Sequence, residues 1–118
     1  MKGVLVIAHG SRAKETEADL LDVLSMVRAK MPETVIEPAF MEFSERTFEK
    51  GVEALAEKGV TEIKIVPYFL FMGIHLKEDI PGMAEEYGQR FPKVKFTMGK
   101  PFGADSRLAD IVADRIRD

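Results

Sequence analysis

The chain has 118 residues, no cysteine, 17 basic and 20 acidic residues, and a formal net charge of −3. This length predicts one α/β domain over residues 1–118. The lack of cysteine excludes disulfides, thiolate metal sites and a cysteine nucleophile. The slight acidic excess argues against nucleic acid as a partner. No apolar run is long enough for a signal peptide or a bilayer span, so we expect a cytoplasmic protein with no membrane partner.

The first third of the chain predicts a strand, a helix and a second strand. Lys2–Ala8 is a nearly continuous apolar run rich in β-branched residues, typical of a strand buried on both faces. Ser11 is a candidate N-cap for the helix that follows, and Pro32 ends that helix. Residues 34–41 predict the second strand, and Pro38 within it favours an edge position because proline lacks a ladder donor.

The middle of the chain predicts a second helix and a third strand. Ser44 is the candidate start of this helix, and Gly59 its C-terminal stop. Residues 62–71 form the most apolar stretch of the sequence and predict the third strand. Pro67 lies inside that stretch, so we expect the hydrogen-bonded ladder to break or bulge there.

The last third predicts a helix, a short strand and a final helix. Asp79 is the candidate cap of the third helix, with Pro81 in its first turn. Residues 93–98 predict the fourth strand, and Asp105 or Ser106 caps the last helix. The apolar face of this last helix consists of Leu108, Val112 and Ile116.

The βαβαβαβα order with short connections predicts a small, open, doubly wound sheet of four parallel strands. We expect the strand order 2-1-3-4, with helices on both faces of the sheet. In such sheets, ligands bind beyond the carboxyl ends of the strands, near the point where the strand order reverses. The loops that follow these strand ends, here called the rim, are therefore the predicted position of the functional site.

The only two histidines of the chain, His9 and His75, both fall in rim loops. They follow the first and third strands, which the expected order makes neighbours. Each imidazole alone is also consistent with a side chain that caps a strand end and bonds to backbone. Together they suit loose binding of Co²⁺, Ni²⁺, Fe²⁺ or Zn²⁺, because imidazole is a common ligand of these ions and titrates near neutral pH.

Several charged and polar rim residues have both a functional and an ordinary interpretation. Glu42 follows the second strand and is either a solvated carboxylate or a proton acceptor and third metal ligand. Ser11 and Arg12 form a candidate anion site at a helix N-terminus, although this short pattern is not specific. Lys77 and Arg46 add two cations that are equally consistent with solvated charges.

Three segments of the sequence resemble a known family. These are VLVIAHGSR (residues 4–12), AFME (39–42) and IVPYFLFMGIHLKEDIP (65–81). They are similar to the short, single-domain class II chelatases, which are the sirohydrochlorin cobalt and nickel chelatases of tetrapyrrole biosynthesis. The third segment is the most specific, because it carries Gly73, His75, Asp79 and Pro81 at the family's spacing. The resemblance covers essentially the whole chain and implies a chelatase-like fold.

The resemblance implies that the protein inserts Co²⁺, or Ni²⁺, into sirohydrochlorin, on the route to cobalamin or to the nickel tetrapyrrole of methanogens. His9 and His75 match the family's catalytic, metal-binding histidines, and Glu42 matches its acidic partner. The metal is then a substrate, and no permanently bound cofactor is expected. Because larger relatives carry two such units in one chain, a homodimer is expected, with the macrocycle in its cleft. The substrate-binding candidates are Gly10, Ser11, Arg12, Arg46, Gly73, Ile74 and Lys77.

Three alternatives use the same residues differently. A non-catalytic carrier of tetrapyrrole or metal would need the same imidazoles, so the residues separate it poorly from a chelatase. A histidine phosphatase would need an arginine immediately before the histidine, where this chain has Ala8. A flavin-binding module would need a phosphate loop rich in Ser and Thr after the first strand, and no such loop is present.

Overall fold

Strands and helices alternate along the whole chain in the computed structural model, which describes residues 1–118. The strands are β1 (Lys2–Ala8), β2 (Val35–Phe40), β3 (Glu62–Pro67) and β4 (Lys95–Met98). The helices are α1 (Lys14–Lys30), α2 (Phe48–Glu57), α3 (Ile74–Arg90) and α4 (Ser106–Arg117). The predicted βαβαβαβα order is confirmed. None of the helices combines the length and the apolar character that crossing a lipid bilayer requires.

The four strands form one parallel sheet in the order β2-β1-β3-β4, as predicted. Val6 of the central strand β1 lies opposite Pro38 on one side and Val66 on the other. Pro38 is tolerated because β2 is an edge strand, where a missing N–H breaks no central ladder. The carboxyl ends of all four strands therefore meet at one rim, formed by residues 9–13, 41–47, 68–73 and 99–105.

The two faces of the sheet pack against different helices, because successive side chains of a strand point to opposite sides. Leu5 and Ile7 of β1 belong to a core that includes residues of α2 and α3. Val6 and Ala8 belong to a second core, on the other face, that includes Leu20 of α1. Helices thus lie on both faces, as predicted, and a rigid sheet supports the rim loops.

Two predicted helix starts are wrong, by two residues for α1 and by three for α2. α1 begins after Ala13, and the Ser11 hydroxyl accepts a hydrogen bond from the Ala13 N–H at 3.1 Å. In α2 the cap is Thr47, whose hydroxyl accepts from the Lys50 N–H, whereas the Ser44 hydroxyl accepts from the backbone two residues ahead. The serine hydroxyl bonds to nearby backbone in turns as readily as at helix N-termini. Ser11 and Ser44 therefore lie in the loops that precede the helices and do not cap them.

The segment between β3 and α3 also differs from the prediction. β3 ends at Pro67, four residues earlier than predicted, because proline cannot donate to the next ladder position. α3 begins at Ile74, after Gly73 in extended conformation, so Asp79 is not its cap and Pro81 lies inside the helix. The predicted break at Pro67 is confirmed, but the residues after it belong to the rim.

The predicted cap of the last helix, α4, is confirmed, and its apolar face is not buried within the chain. Asp105 caps it by accepting a hydrogen bond from the Arg107 N–H. No residue of α4 is buried, and none of its side chains belongs to either core. Its predicted apolar face is therefore largely exposed, with Ile116 80% accessible to solvent.

Candidate functional site

His9 and Glu42 lie side by side at the rim because backbone hydrogen bonds continue the pairing of β1 and β2 beyond the ends of the strands. The Met41 N–H donates to the Ala8 carbonyl at 3.0 Å, and the Glu42 N–H donates to the His9 carbonyl at 3.1 Å. The side chains meet with His9 Nε2 3.2 Å from Glu42 Oε1, and both are exposed. The structure thus presents an imidazole and a carboxylate together, open to solvent.

Gly10 makes this close approach of the two loops possible. Its φ is +92°, a left-handed conformation that side chains other than that of glycine rarely adopt. A Cβ at this position would lie 2.0 Å from the backbone oxygen of Glu42. Besides its predicted contact with substrate, Gly10 therefore has a positioning role, since any side chain there would push Glu42 away from His9.

The loops after β1 and β2 also enclose a pocket of about 640 Å³ that includes three of the predicted substrate-binding residues, Ser11, Arg12 and Arg46. The Arg12 guanidinium lies 5.1 Å from the ring centre of Phe43, which has a φ of +59°. Arg46 is paired with Glu17, with Nη1 2.5 Å from Oε2. Arg12 forms no ion pair, so it is the more available of the two cations for an anionic ligand.

His75 lies next to the other half of the rim, which is formed by the loops after β3 and β4. It occupies the exposed first turn of α3, whereas the sequence predicted a loop there. Gly73 precedes this turn, and the Lys77 N–H donates to its carbonyl at 3.1 Å. Beside them, Phe71 and Ile74 are 87% and 75% exposed. Lys77 lines a pocket of about 380 Å³ with Leu70, Phe71, Met72, Pro101, Gly103 and Ala104. This half combines one imidazole and one ammonium group with open apolar surface.

No group of three or more His, Asp or Glu side chains is arranged to hold a metal ion. The chain therefore brings His9 and Glu42 together but does not join His75 to them as a third ligand. A two-ligand arrangement binds an ion weakly and leaves coordination positions open, whereas a structural site needs about four ligands. This suits an ion that passes through the site.

Sequence reasoning missed three apolar rim residues, Phe43, Leu70 and Phe71, all more than half exposed. The sequence predicted Leu70 and Phe71 as the last two residues of the third strand. The available signal was Pro67, because a strand that ends there leaves the next apolar residues beyond the edge of the sheet. No comparable signal marked Phe43.

The protein-family model described as CbiX matches residues 3–118 of this sequence. The chain belongs to the CbiX family. A protein named sirohydrochlorin ferrochelatase from Priestia megaterium is 36% identical over 118 residues, covering 100% of this chain and 44% of the relative. A sirohydrochlorin cobaltochelatase from Methanosarcina acetivorans is 34% identical, covering 98% of this chain and 95% of the relative. Family membership confirms the resemblance seen in the sequence motifs.

Solved structures of CbiX relatives share the fold. The crystal structure of the sirohydrochlorin chelatase SirB from Bacillus subtilis subspecies spizizenii, in complex with cobalt, superposes with a TM-score of 0.90 at 33% identity. SirB from Bacillus subtilis with Fe³⁺ superposes with a TM-score of 0.88 at 34% identity. Each match covers 99% of this chain, but 50% and 46% of those chains. This CbiX chain thus spans about half the length of these relatives and of the ferrochelatase.

Proposed function

We propose that this chain inserts a divalent metal ion into sirohydrochlorin, with Co²⁺ as the first candidate and Ni²⁺ as the second. The observation that carries the proposal is the exposed His9–Glu42 pair at the rim, in a chain whose relatives bear the names of sirohydrochlorin chelatases. Fe²⁺ is a third candidate, because the relative from Priestia megaterium is named a ferrochelatase. The metal is a substrate of the reaction, and no permanently bound cofactor is proposed.

The chemistry of insertion explains why an imidazole and a carboxylate suit this site. Two pyrrole N–H protons must leave the macrocycle while the ion sheds water and enters the ring. A neutral imidazole either ligates the ion or accepts a proton near pH 7, and a neighbouring carboxylate assists both tasks. In this proposal His9 and His75 bind the ion and relay protons from separate parts of the site, and Glu42 assists at His9. Tight binding of the ion alone would slow its transfer.

Sirohydrochlorin presents charged carboxylates at its periphery and a flat apolar face, and residues around the site can bind both. Its peripheral carboxylates match the free guanidinium of Arg12 and the ammonium group of Lys77, with weaker support from Ser11 and Arg46. The flat face of the macrocycle matches the exposed side chains of Phe71 and Ile74. Because Gly10 and Gly73 have no side chain, the backbone at these positions can lie close to the macrocycle.

A homodimer belongs to the same proposal. The chain spans 44% of one relative and 50% of the SirB chain, so two copies together reach the length of one such relative. Two copies then form a cleft around one macrocycle. Two further expectations remain predictions from the sequence. One is that the protein acts in the cytoplasm, and the other is that it serves cobalamin synthesis or another tetrapyrrole route.

The absorption spectrum of sirohydrochlorin, followed with Co²⁺, Ni²⁺ or Fe²⁺ in separate reactions, tests the proposal. We expect metal insertion well above the spontaneous rate, and a loss of about 100-fold or more in His9→Ala and in His75→Ala. Lys30→Ala, at the exposed end of α1, is the control and should retain activity. Circular dichroism should show intact folding in all three variants, because both histidines are exposed.

Two outcomes would contradict the proposal. Near-normal insertion by both histidine variants would remove the assigned roles. A wild-type protein that binds sirohydrochlorin or metal without raising the insertion rate would instead be a carrier.

A further inference from the structure

Phe43 is the only residue other than glycine that has a positive φ in this chain, at +59°. For a bulky aromatic residue this left-handed conformation is strained, because Cβ crowds the following carbonyl oxygen. The side chain is 53% exposed, so burial in a core does not compensate for the strain. Strained backbone of this kind clusters at functional sites. The position of Phe43 directly after Glu42 places this strain beside the candidate site.

The loop that carries Phe43 does not itself require an aromatic residue there. The Phe40 N–H donates to the Arg46 carbonyl at 2.8 Å, and the Arg46 N–H donates to the Ser44 hydroxyl at 3.0 Å, which closes the loop at its base. Phe43 forms no backbone–backbone hydrogen bond in this loop. Glycine would adopt the same φ without strain. A phenylalanine at this position therefore points to a role for the ring.

The ring of Phe43 supports the guanidinium of Arg12 and leaves it available to a ligand. The guanidinium carbon lies 5.1 Å from the ring centre, within the range of a cation–π interaction. Glu17 and Glu45 line the same pocket, yet Arg12 forms no ion pair with either, and Glu17 is paired with Arg46 instead. Because stacking uses the face of the guanidinium, the N–H donors at its edge stay free for a bidentate bond to a carboxylate.

Two neighbouring residues of the loop after β2 thus lie against two residues of the loop after β1. Glu42 Oε1 lies 3.2 Å from His9 Nε2, and the Phe43 ring lies against Arg12. Because both contacts share one stretch of backbone, the position of the cation is tied to that of the imidazole–carboxylate pair. A change of φ at Phe43 to the usual negative range would turn the ring away from Arg12.

We propose that Phe43 is a positioning residue, which acts through Arg12 to fix the orientation of the tetrapyrrole above His9 and Glu42. The inference rests on the function proposed above and deepens it. The apolar face of the macrocycle binds in no preferred direction, because the hydrophobic effect is non-directional. A bond between the guanidinium and one peripheral carboxylate is directional, so it stops the macrocycle from turning in its own plane. The pyrrole N–H groups then stay within reach of the proton acceptors.

The kinetics of metal insertion separate positioning from simple affinity. Phe43→Leu removes the aromatic face but keeps an apolar side chain, and we expect kcat to fall about 10-fold while KM for sirohydrochlorin changes less than about 3-fold. Phe43→Tyr keeps the aromatic face and should retain nearly the wild-type kcat. Met26→Leu, an exposed change on α1, is the control. An unchanged kcat in Phe43→Leu, or a rise in KM alone, would overturn the positioning role.

A double-mutant cycle tests whether Phe43 acts through Arg12. We expect Arg12→Ala to lower kcat by about 10-fold or more, and the addition of Phe43→Leu to lower it no further. Independent, additive losses would show that the ring contacts the macrocycle directly, and would overturn the proposal.

Phe43→Gly tests whether the strained backbone is retained for the sake of the ring. Glycine adopts a φ of +59° freely, so the melting temperature should not fall below that of the wild type, while kcat should fall as in Phe43→Leu. A markedly lower melting temperature would show that the ring serves folding, and would overturn the assigned role.

The visible circular dichroism of bound sirohydrochlorin, measured without metal, separates this inference from the function on which it rests. Because dichroism depends on how the chromophore lies in its chiral site, we expect Phe43→Leu and Arg12→Ala to alter the spectrum and Phe43→Tyr to preserve it. If this pattern appears but the wild type does not raise the insertion rate, the proposed function is wrong and the positioning role stands. If the wild type inserts metal but all variants share one spectrum, the positioning role alone is wrong. A wild type that does not bind sirohydrochlorin would overturn both.

Discussion

The two halves of the rim are built differently. In the loops after β1 and β2, backbone hydrogen bonds and a left-handed glycine hold His9 beside Glu42. In the other half, the loop after β3 leads into α3, and His75 occupies the first turn of that helix, next to largely exposed apolar side chains. The first half fixes two polar atoms at a set distance, and the second presents a surface.

This difference matches the two requirements of the proposed reaction. Proton transfer and metal binding depend on positions good to a few tenths of an ångström, so the groups involved must be held by rigid backbone. Binding of a broad, flat guest depends on apolar area, which needs no such precision. The comparison therefore predicts that variants in the first half lose turnover, and that apolar variants in the second half lose affinity.

The largest effect is expected from Gly10→Ala. The new Cβ would lie 2.0 Å from the Glu42 backbone oxygen. The alanine would also have to adopt a φ of +92°, a left-handed conformation that it disfavours. We expect a loss of stability of about 2 kcal/mol or more and a fall in insertion rate of about 100-fold, because Glu42 must move away from His9. Thermal melting and the insertion assay measure the two effects.

Gly73→Ala is the matched control for stability. A Cβ at Gly73 would meet no atom within 4 Å, and the residue precedes α3 in an ordinary extended conformation. We expect its melting temperature to stay close to that of the wild type. Equal melting temperatures for both glycine variants would show that the first half is not held as rigidly as the structure indicates.

The second largest effect is expected from Glu42→Gln, which keeps the shape of the side chain and removes its charge. Because Glu42 Oε1 lies 3.2 Å from His9 Nε2, the loss should lower the insertion rate by about 10- to 100-fold. Stability should change by less than about 0.5 kcal/mol, since the pair is exposed. Glu33→Gln, at the opposite end of β2, is the control. An unchanged rate in Glu42→Gln would remove Glu42 from the mechanism.

The fold could be predicted from sequence because its signals are strong and local. The β-branched run of Lys2–Ala8 indicated a buried first strand and Pro38 an edge position for the second, and the structure confirms both. The starts of the helices were harder to predict, because the hydroxyls of Ser11 and Ser44 form turns and not caps. The packing of α4 could not be predicted, because an amphipathic pattern shows that an apolar face exists but not what it packs against.

Part of the site could also be predicted, because the strand order determines which loops lie at the same edge of the sheet. The topology places residues that follow β1 and β2 at one edge, so a meeting of His9 and Glu42 follows from strand order. The left-handed φ of Phe43 and the exposure of Phe71 depend on how the loops close, which no short motif encodes. Sequence therefore identified the polar groups and missed the apolar surface beside them.

An intermediate effect is expected from Phe71→Ser and Ile74→Ser. Both side chains are largely exposed, so their replacement costs little folding free energy, but each removes apolar area offered to the macrocycle. We expect KM for sirohydrochlorin to rise about 10-fold per variant, with kcat largely retained. Met26→Ser, an exposed apolar residue of α1 far from the rim, is the control. A fall in kcat with unchanged KM would assign these residues to turnover and erase the distinction between the two halves.

The smallest effect is expected at Asp105, in the loop that joins the second half of the rim to α4. The Arg107 side chain and backbone N–H donate hydrogen bonds that hold the pKa of Asp105 below its ordinary value. A lowered carboxyl pKa stabilises the folded state above the unfolded value of about 4, and this contribution is lost as the pH falls further. The melting temperature, measured at pH 5, 4, 3 and 2, should therefore fall slightly more steeply with decreasing pH for wild type than for Asp105→Asn. The asparagine keeps a cap but does not titrate. The exposed Asp22→Asn should follow the wild type. An equal pH dependence in wild type and Asp105→Asn would show that the charge of Asp105 contributes nothing to folding.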